Sequence, residues 1–245
     1  MISFFRSIFA PPRHLVLLLA ALWIGLALAE KRAARHNVSK EALNNIVYYS
    51  LFGYVLGGRL LYALENLPAF AQSPLSLISL NLDLFDPLSG LIVGAIVGLV
   101  YGSRQKLPLG PTLDALTPLF AMLMVGLALS HLAAGTAFGS PTDLPWGIEL
   151  WNAIRHPTQI YELVAGVLIL TLIWFRNGVK ASGSDFLSFI AMTAGARLFL
   201  EAFRGDSSLV VGGLRLEQVL AWLILLVTLV VYERLQREGE IESTM

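Results

Sequence analysis

No cysteine occurs among the 245 residues, which excludes disulfides, thiolate metal ligands and a cysteine nucleophile belonging to the chain itself. Any sulfur chemistry here takes its sulfur from a substrate. Charge is scarce as well. Asp, Glu, Lys and Arg make up 14% of the chain, against about 25% in ordinary soluble domains. Seventeen basic residues balance seventeen acidic ones, so there is no general basic field to attract nucleic acid, and none is expected as a partner. The four histidines, His14, His36, His131 and His156, stand far apart and form no H-x-x-x-H pair. Neither a metal site nor a cofactor is expected.

What the chain has instead is apolar surface: 56% of its residues are hydrophobic. Seven stretches, about 14–29, 46–64, 88–102, 112–134, 157–175, 184–203 and 209–232, are apolar enough to span a membrane. The third is short for a crossing of about 20 residues and calls for tilt or flanking residues. The first ends in Ala27-Leu28-Ala29, the shape of a signal-peptide cleavage site. Lys31, Arg32 and Arg35 follow at once, however, and favour a retained first helix whose far end is cytoplasmic. Basic residues also follow spans three (Arg104, Lys106), five (Arg176, Lys180) and seven (Arg234, Arg237). The alternate loops are poor in them: 65–87 has none and 135–156 has only Arg155. The expected fold is therefore all-α and polytopic, a single membrane domain over 1–245 with seven spans, N-terminus out and C-terminus in. Its two long outer loops, 65–87 and 135–156, hold no separate domain. The first mixes Pro, Ser and Leu with Asp83 and Asp86, which suits an interfacial segment, and the second carries turn formers at Gly135, Gly139, Pro141 and Pro145.

With that topology the intramembrane polar groups fall in the outer half. Arg59 and His131 come late in spans two and four. Arg155, His156, Gln159 and Glu162 open span five, Arg197, Glu201 and Arg204 close span six, and Arg215, Glu217 and Gln218 open span seven. Charges at such depth are costly unless paired or facing a polar cavity, and random ion pairs have no reason to choose one leaflet. Arg197 and Glu201 are spaced i,i+4, and Glu201 and Arg204 i,i+3. On one helix face Glu201 would hold both guanidiniums and leave a surplus positive charge for an anion. The bland alternative is an ion-paired brace between helices.

RHPTQIYE (155–162) precedes the apolar run LVAGVLILTLIWF. Pro157 suits the first helical position, which would put Arg155 and His156 at a helix mouth whose free N–H groups favour phosphate. Gln159, Glu162 and Gly166 would line one face further in, although an ordinary capped helix explains Arg155 by itself. Gly90, Gly94 and Gly98, spaced by four, and Gly53, Gly57 and Gly58 before Arg59 read as small-residue ridges for close helix packing.

Taken together, GYVLGGRLLYAL (53–64), GSPTDLPWGIEL (139–150), RHPTQIYE (155–162) and ARLFLEAFRGD (196–206), with Gln218 further on, resemble blocks of the prolipoprotein diacylglyceryl transferases in family order. RHPTQIYE followed about forty residues later by R-x-x-x-E-x-x-R is the specific part. The resemblance runs over nearly the whole chain and implies a bacterial plasma-membrane enzyme that moves a diacylglyceryl group from phosphatidylglycerol to a lipobox cysteine. Its implied partners are that phospholipid, a lipoprotein signal peptide bearing the cysteine, and the membrane. Carried over by position, it implies catalytic roles for Arg197, Glu201 and His131. It further implies substrate contacts from Arg59, Tyr62, Gly139, Arg155, His156, Gln159, Glu162 and Arg204.

The chain also departs from the family. The family's R-x-G-N-x-x-N-G-E reads ALSHLAAGT at 128–136: its arginine is Ala128, its asparagines are His131 and Ala134, and its glutamate is Thr136. The family's H-G-G reads LSG at 88–90, and His14 stands where a tyrosine is usual. Three readings follow: a divergent transferase in which His131 handles the proton and Arg155, Arg197 and Arg204 hold the phosphate; a catalytically impaired member that binds phospholipid or signal peptide as a membrane subunit; and an anion transporter. The transporter reading is the weakest, because the polar groups stop at mid-membrane.

Overall fold

The computed structural model describes residues 13–78, 84–176, 181–207, 209 and 215–244. Asp83, Lys180 and Arg6 lie outside the described residues, as does part of the seventh apolar stretch. The long helices are α1 (Arg13–Ala33), α2 (Lys40–Glu65), α4 (Pro87–Arg104), α5 (Leu109–Ala134), α6 (Thr158–Phe175), α7 (Ser184–Leu200) and α8 (Leu216–Thr244), with a short α3 (Leu67–Gln72) after α2. Among the described residues, all of the long helices except α2 are long and apolar enough to cross a membrane. The exception carries Lys40, Glu41, Asn44, Asn45, Arg59 and Glu65 along its length. The chain is a largely helical, multi-pass membrane protein.

The helices form two compact units, one of residues 33–112 and one of residues 1–32 with 113–245. In the first, α2 and α4 lie almost backbone to backbone, as the glycine ridges require. A methyl group on Gly94 would sit 2.8 Å from the Ser50 carbonyl oxygen, and one on Gly90 would sit 2.7 Å from that of Tyr54. The loop 65–87 contributes α3 and a 3₁₀ turn, Pro74–Ile78. It ends on Asp86, which caps α4 by accepting from the Leu88 and Ser89 N–H groups at 3.2 and 2.9 Å. The Ser89 side chain first, then its N–H and that of Leu88, hold the Asp86 carboxyl below its ordinary pKa.

In the second unit, α1 rests on α5 where Gly126 meets Ala21 and Gly25 meets Leu119. One face of α6, namely Thr158, Gln159, Glu162, Gly166, Ile169 and Ile173, is buried. Its lower part joins Ala121 and Phe189 in the apolar core. Val164, Val167, Leu168 and Leu172 on the other face are exposed, as a lipid-facing surface should be.

The end of this unit remote from Glu162 holds a polar cluster that overturns the expected one-sided distribution. Arg32 is not a loop charge in water; it is 2% exposed. Its Nη1 donates to Asp185 Oδ2 at 3.1 Å, and its Nη2 donates to the Ile173 and Trp174 carbonyls at 2.6 and 3.0 Å, at the end of α6. Arg176 lies 3.7 Å from the same carboxylate and donates to Tyr232 Oη at 2.8 Å. Asp114 of α5 accepts from Gly183 and Phe186 N–H at 2.7 and 2.9 Å, so it caps α7 from a distance. Helix ends left without such partners would bury bare backbone groups. Basic residues near a span's end signalled the cytoplasmic side in the sequence, but they also serve as C-terminal caps of neighbouring helices.

Candidate lipid-phosphate site

The site is built where α5, α6 and α7 end in a small non-helical head. Gly135 (φ +68°) closes α5 in the left-handed region, and the Thr136 N–H returns to the His131 carbonyl at 3.1 Å. That closure follows the Schellman pattern and leaves His131 in the last turn. The loop 135–156, in a chain expected to be all-α, contains a hairpin: β1 (Ile148–Leu150) pairs antiparallel with β2 (Ala153–Arg155). Trp151 and Asn152 make its two-residue turn with φ of 54° and 58°, the signs of a type I′ connection. A Trp in that position is an uncommon turn signal, which hid the hairpin from sequence reading. The Trp151 indole N–H is anchored on the Gly135 carbonyl at 3.1 Å.

The start of α6 is tied to the end of α5. Pro157 is the residue before the helix rather than its first member, and its φ and ψ of −77° and 63° make an inverse γ-turn in which Thr158 N–H meets His156 O at 2.9 Å. The correction to the expected helix mouth is one residue. Thr158 Oγ1 donates to the Ala137 carbonyl at 2.7 Å, and Gln159 Nε2 donates to that of Thr136 at 2.8 Å. Gln159 is buried and acts here as a clamp between the two helices.

Glu162 lies one turn further in. Its Oε1 accepts from Arg197 Nη1 at 3.0 Å and from Arg204 Nη1 at 2.9 Å, while Oε2 lies 3.3 Å from His131 Nδ1. Glu162 thus takes the hub position expected for Glu201. The reason is local: α7 stops at Leu200, Glu201–Phe203 form a 3₁₀ turn, and Arg204 is extended. The i,i+3 geometry is therefore lost and Arg204 swings to α6. Glu201 keeps its i,i+4 partner, with Arg197 Nε 3.3 Å from Oε2. Asp206, which sequence reading missed, takes Arg204 Nε at 2.8 Å.

Glu162, Glu201 and Asp206 each engage Arg197 or Arg204, so the surplus positive charge expected from one helix alone is offset at these two arginines. The Asp206 hydrogen bond and the carboxylates of Glu162 and Glu201 offset the cost of burying the Arg204 guanidinium. Arg197 remains the accessible guanidinium, with 38% of its side chain exposed against 12% for Arg204.

Arg155, Gly139 and His156 belong to the head. Arg155 Nε and Nη1 donate to the Leu150 and Gly139 carbonyls at 3.0 and 3.2 Å, and its guanidinium lies 5.0 Å from the Phe138 ring centroid. Its fork is engaged inside the head. Gly139 pairs with Arg204 across a β-bridge, and a methyl group on it would lie 2.2 Å from the His156 carbonyl oxygen, so only glycine permits that approach. The His156 ring packs 5.1 Å from Phe203, and its Nδ1 lies 3.5 Å from Tyr161 Oη, which accepts from the Trp146 indole at 2.8 Å. Arg59 and Tyr62 belong to the other compact unit. There Arg59 donates to the Leu84 carbonyl at 2.7 Å and the Tyr62 ring lies 6.3 Å from that of Phe70.

A sequence profile of the prolipoprotein diacylglyceryl transferases matches residues 14–233. The chain is similar to the phosphatidylglycerol–prolipoprotein diacylglyceryl transferase of Bordetella parapertussis, 29% identical over 204 residues, 76% of this chain and 78% of that protein. Proteins of the same name from Clostridium tetani and Trichormus variabilis are 27% and 26% identical, over 73% and 84% of this chain and 75% and 79% of theirs. The match takes in both helical units, the hairpin head and every residue around Glu162, and the chain belongs to the prolipoprotein diacylglyceryl transferase family.

Proposed function

We propose that this protein transfers a diacylglyceryl group from phosphatidylglycerol to the thiol of a prolipoprotein at the outer leaflet of a bacterial plasma membrane. The observation that carries the reading is the convergence of Arg197, Arg204 and His131 on Glu162 inside a chain of this family. The reaction needs a base for the thiol proton and cations for the departing phosphate. His131 has Nδ1 directed at Glu162, which leaves Nε2 to accept the proton. The sulfur then attacks the glyceryl carbon, the carbon–oxygen bond breaks, and glycerol phosphate leaves with its charge met by Arg197 and Arg204. The absence of cysteine from the chain fits a substrate thiol, presented by the lipobox of a signal peptide.

In this reading Glu201 holds Arg197 in position, and Gly139, Arg155, His156 and Gln159 shape the head around the lipid headgroup. Arg59 and Tyr62 are proposed as further substrate contacts. This reading has seven crossings, from apolar length, with the N-terminus out and the C-terminus in, from the Lys and Arg distribution between the spans. With that orientation the Glu162 cluster would lie in the leaflet where exported lipoproteins emerge. The binding-only reading keeps one specific support: Ala128, at the position of a family arginine, is 2% exposed and packed.

Purified protein incubated with phosphatidylglycerol and a lipobox peptide separates the two. The thioether product, read by mass, is expected from the native chain. Its yield should fall about 100- to 1,000-fold in Arg197→Ala, the cost of removing one preorganised stabilising donor. Phosphatidylglycerol binding without any product would establish the binding subunit instead.

A further inference from the structure

The two arginines do not depend on Glu162 alone. Arg204 has Asp206 on its Nε at 2.8 Å, and Arg197 has Glu201 3.3 Å from its Nε. Each guanidinium therefore keeps its own carboxylate on one edge while both turn an Nη1 toward a single point, Glu162 Oε1, at 3.0 and 2.9 Å. A point served by two guanidinium donors suits any anionic oxygen, and a phosphoryl oxygen fits it as well as a carboxylate does.

Resting on the transferase reading, we propose that Glu162 is an exchangeable counter-ion. The lipid phosphate takes its place on Arg197 and Arg204, and this handover couples headgroup binding to proton uptake by His131.

The coupling is electrostatic. Once a phosphoryl oxygen holds both Nη1 groups, the Glu162 carboxylate loses its two cations and has a second anion beside it. Glu201 and Asp206 stay on Arg197 and Arg204 and bring no relief. Among the described residues that face Glu162, His131 is the one that can supply a new positive charge. It does so by accepting a proton at Nε2 while Nδ1–H donates to Glu162 Oε2, now 3.3 Å away. The thiol proton is what the reaction must remove. Lipid binding then raises the basicity of the group that removes it, and the lipid binds before the thiol is deprotonated. Glu162 is accordingly a positioning residue acting through His131, and it competes with the headgroup.

That role has a sign that a direct lipid contact or a plain scaffold would not show. In the full-length chain, Glu162→Gln is expected to bind sn-glycerol 1-phosphate about tenfold more tightly by calorimetry, within the usual range for coupled sites. Its KM for phosphatidylglycerol in nanodiscs should fall while kcat drops about 100-fold, the loss of general-base support. Glu162→Asp, which keeps the charge but is one methylene short of the shared point, should shift both quantities in the same directions and serves if Glu162→Gln does not fold. Glycerol phosphate binding that weakens or stays unchanged in the folded variant overturns the proposal, whatever happens to kcat. If the native chain forms no product, the transferase reading fails, and the binding comparison still decides the exchange: tighter binding upholds it and weaker or equal binding ends it.

Discussion

Replacing Arg32 with alanine tests whether the cluster remote from Glu162 is a brace. The substitution takes from Asp185 a cation 3.1 Å away and removes the donor from the Ile173 and Trp174 carbonyls. Breaking a buried pair from one side costs about 3–5 kcal/mol, because the remaining charge has no water to return to. Arg176, 3.7 Å from Asp185, moderates the loss toward the lower end. For a chain of this size each kcal/mol moves the midpoint by about 2–4 °C, so a fall of about 6–12 °C is expected in detergent at a fixed scan rate. Arg32→Met with Asp185→Leu removes both charges and should recover at least half of that, since apolar replacement of a whole buried pair is often neutral. A midpoint within about 2 °C of the native value for Arg32→Ala, or a double variant worse than the single one, would mean that the cluster is not a brace. Transfer activity per folded molecule should be unchanged, because the cluster lies at the far ends of α6 and α7 from His131.

Gly139→Ala should damage chemistry more than folding. The added methyl group cannot coexist with the His156 carbonyl at 2.2 Å, so the bridge that sets Arg204 must move. A displacement on the order of 1 Å near reacting groups costs about 100-fold in rate, to be read as kcat by product mass, with an overpacking penalty of about 1–3 kcal/mol by thermal melt. Asp114→Ala removes the cap that α5 lends to α7. Faster hydrogen exchange is expected at the Gly183 and Phe186 amides, together with a loss of about 1–2 kcal/mol.

Much of the fold was legible because apolar length reports helices directly. The small-residue ridges reported packing equally well: Gly90 and Gly94 meet α2 backbone, as spacing by four predicts. The residues of the site were legible by type and by end of helix, but their pairing was not. Glu162 and Glu201 differ in role because α7 ends one residue before Glu201, and helix termini are poorly specified by local sequence. With Arg204 no longer helical, the arc linking it to Glu201 disappears. Arg32 and Asp114 escaped notice for a related reason. Each partners a residue more than 60 positions away, and no periodicity encodes such a contact. Asp206, two residues after Arg204, was within reach of a local reading that looked beyond helical spacing.

The most direct test of the account is the product itself. Reconstituted in vesicles of phosphatidylglycerol and supplied with a lipobox peptide, the native chain should yield the diacylglyceryl thioether, detected by mass. His131→Ala and Arg197→Ala, both folded, should lose nearly all of it. Full transfer by His131→Ala, or no thioether from the native chain at any phosphatidylglycerol content, would contradict the account.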